Sequence, residues 1–391
     1  MIRWTRCTGR TFGMTSLLTS RLMLAIIVLS LLMSGCTKEL KSKTVIIPDT
    51  EASSEPEKVN EDFTVSKIYT LSDTGVMNRD ILGWIDKNQL LGVYGEELER
   101  SFERVDYTFN SRQIAAKLTG NVEGVQLSPD GKYTAFFKNE DAGKKLMLFD
   151  LATNKEVVIE GNEEGLSFND PIQWSSNSQF VSFGIGGKRG TEGSLYMYDR
   201  VHKTTKKYLI PDWRIREAGF GVKISDDGES ALWIKTVEGQ DTLVCGKLVG
   251  SEFISESEHP LNIDDGTFDY IFNDQILFVN SAGSLQLFDR RNATVTTLLE
   301  QRIGIFQLSM DRKYIAYSKN QEEIFVAKLQ GNTIINEKSI YKGLIPFQIQ
   351  WSPDNKKILL SGRKLFSRAA PAPAAQESID SNPLPFIIEF K

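Results

Sequence analysis

Short apolar-polar alternations, each broken by a tight polar turn and then resumed, recur along most of this chain. The best copies read LSPDGKYTAFF (Leu127 to Phe137), WSSNSQFVSFG (Trp174 to Gly184), ISDDGESALWI (Ile224 to Ile234), LSMDRKYIAYS (Leu308 to Ser318) and WSPDNKKILLSG (Trp351 to Gly362). WIDKNQLLGVY (Trp84 to Tyr94) and YIFNDQILFVN (Tyr270 to Asn280) are weaker copies, making seven in all. Period-2 alternation bounded by Gly, Asn, Asp and Pro predicts strands. No amphipathic helical period competes with it in the body of the chain.

Ser128, Ser175 and Ser225 lie 47 and 50 residues apart, and Ser309 and Ser352 lie 43 apart, which is the length of a four-stranded propeller blade. Between copies runs a second alternating stretch ending at an acidic residue: LMLFD to Asp150, LYMYD to Asp199 and LQLFD to Asp289. A further β-branched run follows, as in EVVIE (Glu156 to Glu160). In Ser128-Pro129-Asp130-Gly131, proline presets φ for a type I turn and glycine takes the left-handed φ that closes a bulged hairpin. Asn355 replaces that glycine in the last copy and tolerates positive φ. Arg312 replaces it in the sixth, which predicts a looser turn there. The serines and aspartates of these turns are turn chemistry rather than a catalytic set.

The predicted fold is all-β: a seven-bladed β-propeller with four antiparallel strands per blade. The last copy supplies three strands, Phe347 to Ser352, Lys357 to Gly362 and Pro385 to Phe390. Phe63 to Leu71, otherwise unpartnered, is the N-terminal strand expected to close the last blade and remove its open edge. Six blades, with the first copy as an accessory hairpin, is the alternative. Domain boundaries follow: 1–35 leader, 36–61 tether and 62–391 one propeller, with blades near 81–119, 122–160, 170–210, 219–258, 268–300, 304–341 and 347–391 plus 63–71.

The W-S-P-D-G/N turn followed by an aliphatic strand resembles the TolB-like β-propeller repeat. That resemblance implies the propeller and leaves function open, because such propellers serve as scaffolds, sensors and enzyme accessory domains. A leader followed directly by one propeller is similar to the YqgU-like lipoproteins of Gram-positive bacteria.

The address is read from the first residues. Arg3, Arg6, Arg10 and Arg21 precede an apolar run, Leu22 to Leu32, and then Met33-Ser34-Gly35-Cys36. Eleven residues, apolar but for Ser30, are too few to span a bilayer and suit a signal-peptide core. The small residues before Cys36 resemble a bacterial lipobox, with Met33 in place of the usual leucine. That resemblance implies diacylation of Cys36 and a lipid-anchored, extracytoplasmic protein on a bacterial cell membrane. A plain secretory signal or a short anchor is the other reading, and Met14 is a possible start. Thr37 to Glu61 is too polar to pack and reads as a flexible tether.

The net charge of −5 becomes −9 once four leader arginines leave with no acidic residue. That balance argues against nucleic acid as a partner. Of three cysteines, Cys7 lies in the leader, Cys36 is the lipidation candidate, and Cys245 aligns with inward-facing Leu148, Met197 and Leu287, which predicts a buried, inert thiol.

Candidate chemistry is sparse. His202 falls in a turn and His259 is expected in a loop before Pro260; neither belongs to a metal-spaced cluster. No G-x-S-x-G elbow is present. The glycines of Gly184 to Gly190 join two strands instead of opening a helix, so a phosphate loop is disfavoured. Ile263 to Gly266 and Asp226 to Gly228 lack the alternating carboxylates of a calcium loop. No catalytic residue, metal site or cofactor is assigned.

Binding is the favoured function, with Trp213, Arg214, Arg216, Arg302 and Lys342 as candidates in the loops between blades, where such scaffolds present concave surfaces. Trp and Arg dominate binding hot spots; for Trp213 a wedge packed between blades is the competing role. The long segment 362–383 reads either as a flap or as a disordered insertion. The expected protein is thus a non-catalytic binding or assembly module, monomeric, with an envelope protein or cell-wall component as partner. The alternative is an extracytoplasmic hydrolase or lyase acting on a glycan or peptide through channel carboxylates, whose spatial pairing is not visible in sequence.

Overall fold

The computed structural model describes residues 43–44, 63–71, 81–95, 99–109, 111–140, 143–160, 171–185, 193–211, 221–261, 268–320, 322–364 and 385–391. Among them every regular element is a β-strand. The two middle strands of a sheet are apolar along both faces, as in Gln89–Tyr94 and Gly193–Asp199, because each sheet is covered on both sides by its neighbours. Outermost strands such as Ser111–Lys117 and Lys155–Glu160 are largely exposed, which is why their sequences are rich in Lys, Glu and Arg.

The strands form six sheets in a propeller-like arrangement. The first holds Ile81–Trp84, Gln89–Tyr94, Ser101–Asp106 and Ser111–Lys117. The second holds Asn121–Leu127, Tyr133–Glu140, Gly143–Asp150 and Lys155–Glu160. The third has eight strands. One half is Gln173–Trp174, Phe180–Ile185, Gly193–Asp199 and Thr204–Ile210; the other is Lys223–Ile224, Ser230–Val237, Gln240–Val249 and Glu252–Pro260. The fourth holds Phe268–Phe272, Gln275–Val279, Leu285–Asp289 and Thr294–Leu299, and the fifth Ile303–Leu308, Tyr314–Lys319, Glu323–Gln330 and Thr333–Lys342. The sixth orders Leu344–Trp351, Lys357–Lys364, Phe386–Phe390, Val65–Thr70 and Lys43–Thr44.

Separate four-stranded units were the expectation. The eight-stranded sheet departs from it because its two halves meet edge to edge at a single parallel pairing, Leu209 with Glu252. The nine-residue strand Glu252–Pro260 is long enough to bring its start beside the neighbouring edge, where Leu209 N donates to Ser251 O at 2.9 Å.

The N-terminal strand closes the last sheet as its sequence predicts. Val65–Thr70 runs antiparallel to Phe386–Phe390, with Ile68 opposite Ile388 and Thr70 opposite Phe386. Ile68 packs on one side against Ile358, Leu360 and Ile388 and the fifth-sheet residues Ala316 and Ile324. Tyr69 and Leu71 pack on the other side with Leu359, Ile387 and the first-sheet residues Ile81 and Trp84. One short strand therefore belongs to two apolar clusters and ties the chain's beginning to its end. Among the described residues seven such clusters are found, each between successive sets of four strands. One of them, around Val222, Trp233 and Phe253, lies between the halves of the eight-stranded sheet.

His259 is a correction to the sequence reading: it lies inside the strand Glu252–Pro260 and not in a loop. Its ring packs against Phe278 and Phe288, with centroids 5.1 and 4.4 Å away, and burial holds its pKa below the ordinary imidazole value. Cys245 is fully buried, and its thiol is pushed up to about 12 by that burial. The leader, Cys36 and the tether from Thr37 lie outside the described residues, apart from Lys43 and Thr44.

Candidate functional site

The five strong repeats build one turn. The serine Oγ donates to the acidic or amide side chain two residues on: Ser128 to Asp130 at 2.6 Å, Ser175 to Asn177 at 2.7 Å, Ser225 to Asp227 at 2.5 Å, Ser309 to Asp311 at 2.8 Å and Ser352 to Asp354 at 2.6 Å. The same Oγ accepts from the backbone N–H five residues on, at 2.9 to 3.0 Å in every copy. The residue at the fourth position has positive φ whatever its identity: Gly131 70°, Ser178 63°, Gly228 73°, Arg312 60° and Asn355 57°. The looser turn expected at Arg312 is not found; Arg312 N donates to Ser309 O at 2.9 Å as its counterparts do. The serine's hydrogen bonds hold the backbone there against the intrinsic cost of a left-handed side chain.

These turns lie side by side. Asp130 N donates to Ser178 Oγ at 2.9 Å, Asn177 N to Asp226 Oδ1 at 2.8 Å, and Asp226 N to Asn273 Oδ1 at 3.1 Å. A Cβ on Gly131 would come within 2.7 Å of Trp84 O and Ile85 Cα, so glycine is required there by contact as well as by φ. Lys357 Nζ, buried, donates to Lys87 O at 2.9 Å, joining the last turn to the first.

Immediately before each turn, the innermost strand carries a residue facing between sheets and one facing the axis, since successive side chains point opposite ways. Three of the first kind are tryptophans, each donating its indole N–H to the neighbouring innermost strand: Trp84 to Gln350 O at 3.3 Å, Trp174 to Gln126 O at 3.3 Å and Trp351 to Gln307 O at 3.2 Å. The second kind are Gln126, Gln173, Lys223, Asp269, Gln307 and Gln350. In the first sheet the position is Gly83, and Gln350 fills the space its side chain would take, reaching Leu82 O at 3.0 Å.

These residues surround two adjoining cavities of about 240 and 160 Å³ that share Leu127, Pro129, Gln307, Leu308 and Met310. Residues from every sheet, and from both halves of the eight-stranded one, reach them. Asp269 is the one carboxylate among the described residues that line them, and it is ion-paired with Lys223 at 3.3 Å. Arg312 reaches past the short turn at Asn273 to an ion pair with Asp226, its guanidinium 6.0 Å from the centre of the Phe272 ring. Met310 is 45% exposed at the rim. Among the described residues, this end is lined by amides, aliphatic and aromatic surface and two ion pairs, Lys223 with Asp269 and Arg312 with Asp226.

Of the residues singled out by sequence, Trp213, Arg214 and Arg216 lie outside the described residues, as does most of the 362–383 segment. Arg302 precedes Ile303–Leu308, at the opposite end of that strand from Met310 and Arg312, with its side chain over Gly283. Lys342, at the far end of Thr333–Lys342, is ion-paired with Glu323 at 2.8 Å. The structure does not join Arg302 or Lys342 to the cavities. The carboxamide positions went unread in sequence, although a signal exists: the repeats align one residue further upstream as Q-L-S, Q-W-S, K-I-S, Q-L-S and Q-W-S. His202 sits in an exposed turn, its Nδ1 2.7 Å from Asp199 Oδ2. Among the described residues no group of three or more His, Cys, Asp or Glu is placed to hold a metal.

No protein-family model matches the chain, and no curated protein does. Solved structures do. An oligogalacturonate lyase in complex with manganese aligns at TM-score 0.57 and 12% identity, covering 90% of this chain and 98% of its own. The oligogalacturonate lyase of Vibrio parahaemolyticus aligns at TM-score 0.54 and 11% identity, with the same coverage. A chain of a mitotic checkpoint complex aligns at TM-score 0.52 and 12% identity, covering 89% and 99%. Likenesses this remote in sequence establish the fold alone: this chain is a β-propeller-like, all-β protein.

Proposed function

We propose that the chain is a membrane-anchored extracytoplasmic lipoprotein whose seven-bladed propeller is a non-catalytic binding module working through the turn-end cavities. Seven blades are supported by the eight-stranded sheet, two four-strand meanders touching at one parallel pairing, and by the seven apolar clusters between successive sets of four strands. The anchor rests on the lipobox-like Ser34-Gly35-Cys36 behind a short apolar run. Two acyl chains would hold such a protein stably where one would not.

The observation that carries binding over catalysis is the lining: carboxamides and one ion-paired carboxylate. A lyase reading draws on the likeness to oligogalacturonate lyases along nearly the whole chain. Against it stand the described residues: no group of three or more His, Cys, Asp or Glu among them is placed to hold a metal, and Asp269 is the one carboxylate among those lining the cavities.

A photo-crosslinking residue placed at Met310 or, at the other end, at Arg302 tests the reading in intact cells. A discrete adduct from position 310 in the membrane fraction, absent from position 302 and released by Cys36→Ser, is the expected result. Adducts from 302 alone would move the site to the loop end. Formation of unsaturated products from oligogalacturonate by the purified protein would replace binding with catalysis.

A further inference from the structure

The polar groups of the turn-end cavities divide into those with a protein partner and those without one among the described residues. Gln350 donates to Leu82 O at 3.0 Å and Gln307 to Leu308 O at 3.4 Å. The charges are matched in pairs, Lys223 with Asp269 and Arg312 with Asp226. The indole N–H of Trp174 is taken by Gln126 O. Against this background the side-chain amides of Gln126, exposed, and Gln173, half-buried, line the 240 Å³ cavity from neighbouring innermost strands without a protein partner among the described residues, and the buried Tyr270 hydroxyl in the same lining has none either. Beside them lie Pro129, Leu308 and the exposed Met310.

What the site leaves unmatched is therefore neutral. A carboxamide carries a donor and an acceptor side by side, which is the complement of one peptide group with its N–H and C=O. Among the described lining residues a charged ligand would meet no unpaired opposite charge. At about 30 Å³ per water the cavity holds on the order of eight waters, which suits one or two residues of small side chain. Methionine provides the adaptable apolar surface that such side chains pack against.

On the reading that this end of the propeller is a binding surface, we infer that Gln126 and Gln173 clasp the main chain of an uncharged peptide segment, with its small apolar side chains against Met310 and Leu308. The partner is thus a protein carrying an exposed, extended, neutral stretch.

The test uses the full chain in detergent as bait for a random heptapeptide library, followed by fluorescence titration of the enriched peptides, acetylated and amidated at their ends. Enriched sequences free of charge, with Gln126→Leu and Gln173→Leu each weakening binding at least tenfold and Gln126→Asn less, are expected. Unchanged melting of the variants separates lost contacts from lost folding. Salt is expected to have little effect, since no charge is used. The inference is overturned if no peptide distinguishes wild type from the Gln126→Leu/Gln173→Leu protein. It is also overturned if enriched peptides carry a charged consensus, or if a neutral oligosaccharide binds in a Gln126-dependent way where peptides do not. A Met310 adduct in cells together with peptide failure would leave the binding reading standing and remove only the ligand class; failure of both would remove both.

Discussion

The N-terminal strand Val65–Thr70 offers the sharpest test of how this ring is held shut. Ile68 is 3% exposed and packs among Ile358, Leu360 and Ile388 of its own sheet and Ala316 and Ile324 of the next. Ile68→Ala removes three heavy atoms from a fully packed site and is expected to cost about 2–5 kcal/mol. The compact unit runs from Ser42 to Lys391. At about 2 cal/mol/K per residue its unfolding entropy is on the order of 0.7 kcal/mol/K, so the loss reads as a fall of roughly 3–7 °C in melting temperature. Ser66→Ala is the control, because Ser66 is exposed and its Oγ makes only a surface bond to Glu389 O at 3.0 Å. That change should stay within about 0.5 kcal/mol. Urea titration gives the free energies, and hydrogen exchange at Phe386 to Phe390 shows whether the edge opens with the rest of the ring or before it. Ile68→Ala melting with wild type, or with Ser66→Ala, would refute the strand's role in closure. Faster exchange confined to Phe386–Phe390, with no global change, would show a loosely docked strand and refute it equally.

Three further outcomes follow from named contacts. Gly131→Ala is expected to cost at least about 2 kcal/mol in urea unfolding, from positive φ and from the approach of its Cβ to Trp84 O and Ile85 Cα, while Asn355→Gly stays within about 1 kcal/mol. His259 has a folded pKa below its unfolded value of about 6.5, so the unfolded chain takes up the proton first. Its share of stability is therefore present above pH 6.5 and lost as pH falls below it; denaturant titrations at pH 7.5 and 5.5 should show a smaller loss for His259→Phe than for wild type. Cys245, buried with its thiol pushed up to about 12, should resist a thiol-specific chromogenic disulfide at pH 8 in a Cys7→Ser/Cys36→Ser background and react fully once denaturant is added.

The repeats were legible because their chemistry is local. A serine that bonds a side chain two residues on and an N–H five residues on needs nothing from the rest of the chain, so Ser128, Ser175, Ser225, Ser309 and Ser352 announce their turns in sequence. Arg312 was misread because its φ is set by that same serine bonding and its side chain by a partner 86 residues away, Asp226. His259 was misread because the following proline suggested a loop, whereas the aromatic pair Phe278 and Phe288, from the next sheet, holds it in a strand. The glutamines went unnoticed because an amide one residue before a turn has no chemistry until others are brought beside it.

Local pattern alone thus determined the all-β class, the turn positions, the four-strand period and the buried thiol, since hydrogen bonding and alternation act over a few residues; the partner of Phe63 to Leu71 followed from counting strands across the whole chain. Only the tertiary structure decided which residues share a cavity. Gln126, Gln173, Lys223, Asp269, Gln307 and Gln350 are spread over more than 220 positions of sequence and meet because each lies on the innermost strand of its set and lines the same turn-end cavities. The join at Leu209 and Glu252 was likewise decided in three dimensions, by the lengths of two outer strands and the distance between their edges.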